Sequence, residues 1–600
     1  MTDTTITARR NSRVPENPSV FPVTSVAWAL ILVSVAIRAW AAFGSWFYED
    51  DFEFLAAVAL GENDLEWYFT PHNVHFMPLS LLLVTPIGLI GGFPWWAAAL
   101  QITVLYAAAA VACWWMLTRL FGAQPRILAP LTFYLFSPLL IPAITWWAAA
   151  VNVVAVQAPL FVLIGAHVEY LRSRRRRWLV VAGLMIVLVS GLYVKALVVT
   201  AVLGLFTLCY ATEGPSVGRR FLTTVVRWWR IWAVYVALCL VTIAVYLRQS
   251  EATSTESGAP MGEAVDSLVL RNLVPSLLGG PWSWADMGGY PRQLANPSDL
   301  MVAAALAVVV GLFAYAVHRW QNAWMPLVLL APPVIATFVG ITAFRTGSFP
   351  FLSLETRYWA DILPYLVLAV GVSTMDLPGL PRQRRRRAED APAPPPSFVL
   401  GVAAAYVAGS LLTTVGYVSP WHTDFPTRKF VETAVAVADA EGDEMVVADT
   451  GVPGSVMSAS FFPANTPNRL FAPVPGSFRG VEAGVDLMVL SEEGLPEQAR
   501  AEAALEADYS DDECFTSGDL ELPSRTFDFP FWATAVVSFE HATTLYITAG
   551  TARHAVEVQE GRQEVSFRTM GAIRRIELSN RNDAEMCPAT LRVGPQLEIP

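Results

Sequence analysis

Long apolar runs separated by short arginine-bearing segments fill the first 420 positions of the chain. Runs of about 17–25 apolar residues are the length that crosses a bilayer as a helix. The first runs from Val23 to Ala42. Further candidates follow at about 95–118, 127–144, 149–171, 178–193, 196–212, 231–247, 301–317, 324–343, 358–376 and 398–418. Basic residues mark alternate connections: Arg119 and Arg126; Arg172 with Arg174 to Arg177; Arg219, Arg220, Arg227 and Arg230; Arg319; and Arg382 with Arg384 to Arg387. The polar start, with Arg9, Arg10 and Arg13, belongs to the same set. An N-terminus inside and about eleven crossings put every one of these clusters on the cytoplasmic side. Everything beyond 418 then lies outside. Phe76 to Ile90 is also apolar, but counting it as a span would throw Arg174 to Arg177 outside. It is therefore expected to be an interfacial or re-entrant helix in the first external loop, ending at Gly91-Gly92. No A-x-A cleavage pattern follows the first run, so a retained helix is expected.

Beyond 418 the period changes. Phe430 to Ala440 reads as a helix, with Glu444 to Ala448 and Leu487 to Leu490 as buried strands. From Arg525 onward short alternating runs recur, at Ala533–Phe539, Thr544–Ala549, His554–Val558, Glu564–Phe567, Arg574–Leu578 and Thr590–Val593. Such spacing, with turns such as Glu560-Gly561, predicts a β-sandwich. The expected division is a cytoplasmic N-terminus (1–22), a membrane domain (23–418), a mixed α/β region (419–524) and the sandwich (525–600). The membrane domain is expected to carry external loops at 43–94 and 248–300. The larger loop starts polar, from Gln249 to Gly262, and turns rich in Gly, Pro and Trp, the composition of a lid. Ala391 to Pro396 reads as a cytoplasmic connector.

Composition agrees. Of 600 residues, 54% are hydrophobic and 15% charged, against about a quarter charged in soluble chains. The net charge of −11 offers no basic surface to nucleic acid. Only two of the forty basic residues, Lys195 and Lys429, are lysines, a bias typical of high-GC bacterial genomes. Of five cysteines, Cys113, Cys209 and Cys239 sit in apolar runs. Cys514 and Cys587 are in the polar C-terminal part, where an extracytoplasmic location would permit a disulfide between them.

Four segments carry candidate chemistry. Glu49, Asp50 and Asp51 follow directly on the first span. They are either a solvated collar or a general base held where lipid meets water. Adjacent carboxylates repel, which raises the pKa of one of them. His72 and His75 have a spacing that a metal can use, but with no third ligand they are expected to hydrogen-bond substrate or pack the loop, and no metal is expected. Lys195 stands in an apolar stretch, Tyr193-Val-Lys-Ala-Leu. It either snorkels to the interface or pairs with an anion. Glu355-Thr-Arg-Tyr358 lies just before a late span, where Arg357 can grip a phosphate and Glu355 can orient it, or the two can simply anchor the helix end. In the outer part, Asp449-Thr-Gly451 looks like an aspartic-protease triplet but reads as a strand-end turn.

Together these pieces resemble the GT-C superfamily of membrane glycosyltransferases, in the branch that takes single sugars from polyprenyl phosphates. The resemblance covers about residues 20–420. In that family an acidic pair follows the first span, and Asp50-Asp51 matches it, with Asp50 in the usual base position. The run from His72 to Leu79 is similar to the family's His/Pro segment. Lys195 matches a lysine common after the basic third internal loop, and Glu355 to Tyr358 looks like its "RY" motif. Metal-using members place an acid in the second external loop. Here Asn152 stands there, which favours the metal-free branch.

The resemblance implies a polytopic α-helical membrane protein, GT-C-like, carrying an extracytoplasmic α/β and β-sandwich domain. It implies transfer of one sugar, with arabinofuranose and mannose both compatible, from a polyprenyl-phosphate donor to an envelope glycan, lipid or protein. Transfer would be inverting, at the outer face of the bacterial plasma membrane, with Asp50 or Asp51 as base, Arg357 and Lys195 on the donor phosphate, and Glu49, His72, His75, Glu355 and Tyr358 lining the substrate. The terminal sandwich can bind glycan or act as a cap. Competing readings are a transporter or flippase of a polyprenyl-linked or lipid substrate, and a non-catalytic glycan-binding scaffold. Neither internal repeats nor other midplane charges favour the transporter.

Overall fold

The computed structural model describes residues 20–600 except 73–74, 250–259, 289, 345–349, 382–394, 424, 511–513 and 527. The N-terminal arginines, most of the polar start of the large external loop, the cluster Arg382 and Arg384 to Arg387, and most of Ala391 to Pro396 lie outside the described residues. The chain is mostly helical up to Glu441 and mostly strand after it.

Among the described residues, nine helices are long and apolar enough to cross a membrane. They account for nine of the eleven expected segments. The other two are shorter. Arg176–Leu192 has 17 residues, about 25 Å of helix. The segment near 358–376 begins as a 3-10 turn, Thr356–Ile362, and continues as the 12-residue helix Leu363–Thr374. Phe76 to Ile90 contains only the helix Pro78–Gly88, too short to span.

The helices are built around one continuous apolar core. Its centre is the broken span Pro125–Thr145, cut by Pro125, Pro130, Pro138 and Pro142. Proline removes backbone N–H donors and orphans carbonyls that lipid cannot satisfy. Buried Arg38 answers this by donating from Nη2 to Ser137 O at 2.7 Å, and the Tyr106 hydroxyl donates to Leu135 O at 2.8 Å. The last long helix, Pro396–Thr423, closes on the first at Gly44. A Cβ there would lie 2.3 Å from His422 Nε2, so only glycine permits this approach.

The C-terminal part divides differently from the expectation. The region 426–481 does not stand apart: Phe430, Val447, Val456, Met457 and Phe471 belong to the core of the membrane domain. It is also pinned to the segment between the first two spans. Arg469 makes a two-pronged ion pair with Glu62 at 2.8 and 2.9 Å, and Gly92 N donates to Pro473 O at 2.7 Å. The sandwich has its own core. One sheet has the order Ser517–Glu521, Arg575–Asn580, Thr543–Ala549, Ala552–Val558. The other has Ala483–Val485, Gly561–Thr569, Phe531–Phe539, Met586–Gly594, Leu505–Asp508. Three of these strands precede residue 525, so the sandwich begins earlier than the alternating pattern indicates. Short, half-exposed strands such as Ala483–Val485 leave too few positions to show the period of two. Cys514 and Cys587 form a disulfide.

Candidate active site

The helix Asp50–Ala59 begins six residues after the first span ends. Its first turn holds Asp50, Asp51 and Glu53, and carboxylates are favoured at the positive end of a helix. Glu49 precedes it with φ 43°, a left-handed conformation that turns the chain sharply and sends neighbouring acids in different directions.

The three acids consequently meet three environments. Asp51 is fully buried. Its Oδ2 accepts from Tyr48 N at 2.9 Å and its Oδ1 from Ala148 N at 2.7 Å. Burial raises its pKa against these two hydrogen bonds. Glu49 is buried beneath Arg292, whose Nη1 lies 3.8 Å from its Oε2. Burial raises its pKa too, with Arg292 opposing. Asp50 alone of the three lines a cleft, together with Phe54, His72, His75, Asn152, Arg357 and Tyr358 among others.

His72 and His75 close a short turn through two backbone hydrogen bonds, His72 N to His75 O at 3.0 Å and His75 N to His72 O at 2.7 Å. This bridge aims both residues at the cleft. His72 Nε2 lies 3.3 Å from Asp50 Oδ1 and Nδ1 lies 3.6 Å from Glu53 Oε1. The turn is held against the membrane domain by Ser80, whose Oγ is 2.7 Å from Val151 O and 2.8 Å from Leu192 O.

The opposite wall is cationic. Arg357 pairs with the buried Glu355, donates from Nη2 to Tyr358 Oη at 3.2 Å, and lies 4.2 Å over the Trp146 ring. Arg292 Nη1 reaches the other oxygen of Glu355 at 3.1 Å. Glu355 is thus a carboxylate shared by two guanidiniums. Burial lowers the pKa of both arginines, but Glu355 together with Tyr358 and the nearby acids (Glu49 at Arg292, Asp50 at Arg357) outweighs it, and both end above the free value. They are permanent cations.

Four expected site residues, Lys195, Asp51, Glu49 and Glu355, are outside the cleft lining. Lys195 is not in the cleft lining, although its neighbour Tyr193 is. Its Nζ sits 2.6 Å from Asp361 Oδ2, so the anion it meets is a protein carboxylate. Asp51 is likewise outside the lining, because both its oxygens are consumed by backbone donors.

Sequence reasoning passed over four of the residues that shape the site. Arg292 comes from the segment between the helices Val274–Ser276 and Asp299–Arg319 and carries no local signature beyond following Tyr290-Pro291. Trp146 and Asp361 are similarly silent. Glu53 was legible: once a helix starts at Asp50, Glu53 is three residues on and shares its face. Asp50, Glu53 and His72 each offer a ligand atom within 4.8 Å of one another. Mixed carboxylate and imidazole donors suit a divalent cation; the cluster joins His72 to the helix acids and leaves His75 out.

No family model matches the chain, and neither does any curated protein. Among the solved structures similar to it is the arabinofuranosyltransferase AftD from Mycobacteria, with a TM-score of 0.38 and 10% identity, over 95% of this chain and 60% of that one. The chain therefore spans less than two thirds of that structure.

Proposed function

We propose that this chain is an inverting glycosyltransferase of the bacterial plasma membrane. It moves one sugar from a polyprenyl-phosphate donor to a hydroxyl of an envelope glycan, lipid or protein on the extracytoplasmic side. The observation that carries the reading is the convergence of Asp50 and Arg357, 307 positions apart in sequence, on one cleft beside the membrane helices.

In this reading Asp50 takes the proton of the acceptor hydroxyl as its oxygen bonds to the anomeric carbon. The bond from that carbon to the phosphate oxygen breaks, and its electron pair leaves with the polyprenyl phosphate. Arg357 receives the growing phosphate charge. Fixed cations in a partly dry site stabilise such charge without reorganising, and Glu355 and Trp146 hold Arg357 in place. Base catalysis by Asp50 adds about 10²–10⁴-fold, with His72 orienting the carboxylate. The free space is ≈ 70 Å³, room for two or three waters at about 30 Å³ each. Donor entry therefore requires the lining to part; Arg292 stands behind that lining, against Glu49 and Glu355. No step is routed through a metal.

The test is a transfer assay with a panel of polyprenyl-phosphate sugars and a hydroxyl acceptor. Release of polyprenyl phosphate that depends on acceptor, lost in Asp50→Asn and weakened for donor in Arg357→Ala, is the expected result. A folded Asp50→Asn protein with full activity on its native donor overturns the assignment.

A further inference from the structure

A second feature lies at the other end of the bundle. The helix Gln157–Ser173 starts beside Asn152 of the cleft and ends at the Arg174–Arg177 cluster, and Arg176–Leu192 returns to Tyr193. The arginine end is thus the face remote from Asp50.

On that face sits the helix Val217–Arg227, capped by Ser216, whose Oγ accepts from Arg219 N at 3.3 Å. It follows the span Val194–Ala211 and precedes the span Trp229–Arg248, so both ends are tied to one membrane surface. At 100° per residue, Val217, Phe221, Leu222, Val225 and Val226 form one half of its circumference, and Arg219, Arg220, Thr223, Thr224 and Arg227 the other.

Its orientation is the reverse of that in a water-soluble domain. The middle of the polar half is turned toward the protein: Thr224 is buried, its Oγ1 is 3.3 Å from Thr212 Oγ1, and its carbonyl accepts from Trp232 Nε1 at 3.0 Å, while Arg219 and Arg227 on the same half stay exposed. The apolar half points away, with Val217, Phe221, Leu222 and Val226 all 60–64% exposed. An apolar half-cylinder between two spans has a hydrocarbon phase within reach, and the described residues leave it exposed.

The surroundings are cationic. Arg174 Nη1 donates to the last helical carbonyl, Arg227 O, at 2.8 Å, and its guanidinium lies 3.6 Å over the Trp228 ring. Arg175, Arg176, Arg177 and Arg230 stand nearby in the chain. A cavity of ≈ 520 Å³ opens here, lined by Arg172, Arg227, Thr212, Thr223 and Trp228, with one carboxylate, Glu213, at its wall.

We propose that this helix lies in the plane of the cytoplasmic leaflet and that it and its arginines form a binding site for acidic phospholipid. The apolar half sinks among acyl chains. Arg219, Arg220 and Arg227 hold headgroup phosphates, and the cavity seats a headgroup. The site is independent of the sugar-transfer chemistry.

The test is native mass spectrometry of the full chain released from micelles containing equal phosphatidylglycerol and phosphatidylcholine. The wild type should retain phosphatidylglycerol several-fold over phosphatidylcholine, with the preference falling as salt rises. R219Q/R220Q/R227Q should remove that preference and bring the two lipids to near-equal retention. The lysine counterparts R219K/R220K/R227K should keep it. If the glutamine variant fails to insert, F221S/V226S, which keeps every charge, should lower retention of both lipids. Equal retention of the two lipids by the wild type overturns the proposal. So does an unchanged preference in the glutamine variant, or an acidic protein copurifying in place of lipid.

Discussion

Replacing Asp51 by Asn changes one oxygen to an amide nitrogen in a closed site, and the consequence can be worked out atom by atom. Asp51 is 0% exposed, and its two oxygens accept from Tyr48 N and Ala148 N at 2.9 and 2.7 Å. Asn has one acceptor oxygen, so one buried N–H must face an NH₂ group. An unsatisfied buried donor costs about 1–3 kcal/mol, which corresponds to an opening equilibrium larger by about 5- to 150-fold. The loss is local, so amide hydrogen exchange is the sensitive assay. Peptides covering 44–55 and 144–152 should exchange faster by that factor in Asp51→Asn. Asp50→Asn, one residue away but on the cleft, should leave exchange unaltered and lower transfer by about 10²–10⁴-fold. The reasoning fails if Asp51→Asn exchanges like wild type, or if Asp50→Asn loosens the same peptides while retaining transfer.

Three further predictions follow from the same geometry. Lys195→Met should destabilise the membrane domain by up to about 3 kcal/mol, because it leaves Asp361 buried and unpaired. Asp361→Asn in the Lys195→Met background should restore part of that loss in thermal unfolding, and purely additive effects would deny the coupling. Glu49, with its pKa raised chiefly by burial, binds its proton more tightly folded than unfolded. The stability this gives is complete below the unfolded value of about 4.3 and is lost as pH rises through the native one. Glu49→Gln should therefore flatten the fall in unfolding midpoint above pH 4.3, whereas parallel curves would show that Glu49 does not titrate there. Finally, EDTA should leave transfer within about two-fold, since base and cation are both protein groups; activity lost to EDTA and restored by a divalent cation would instead assign Asp50, Glu53 and His72 as its ligands.

Much of the architecture was legible because lipid leaves few choices. Apolar length reports helices that cross, and nine of the eleven expected segments are helices long and apolar enough to do so. The two short ones, at 178–193 and 358–376, show that apolar length does not fix helix length. Tyr193 ends the first early and the 3-10 turn Thr356–Ile362 delays the start of the second, and both lie beside the cleft. The candidate site was half legible. Asp50, His72, His75, Arg357 and Tyr358 are polar groups stranded beside apolar runs, and all line one cleft. Arg292 and Trp146 have no such contrast with their neighbours.

The sequence by itself determined the order of spans, a β-rich terminal part and a short set of stranded charges, because hydropathy and charge are local properties. It could not separate Glu49, Asp50 and Asp51, nor tell whether Lys195 meets a substrate or a protein carboxylate. Those questions turn on which partner arrives from hundreds of residues away. Ala148 N decides for Asp51, Arg292 for Glu49 and Asp361 for Lys195, and only tertiary packing brings them there.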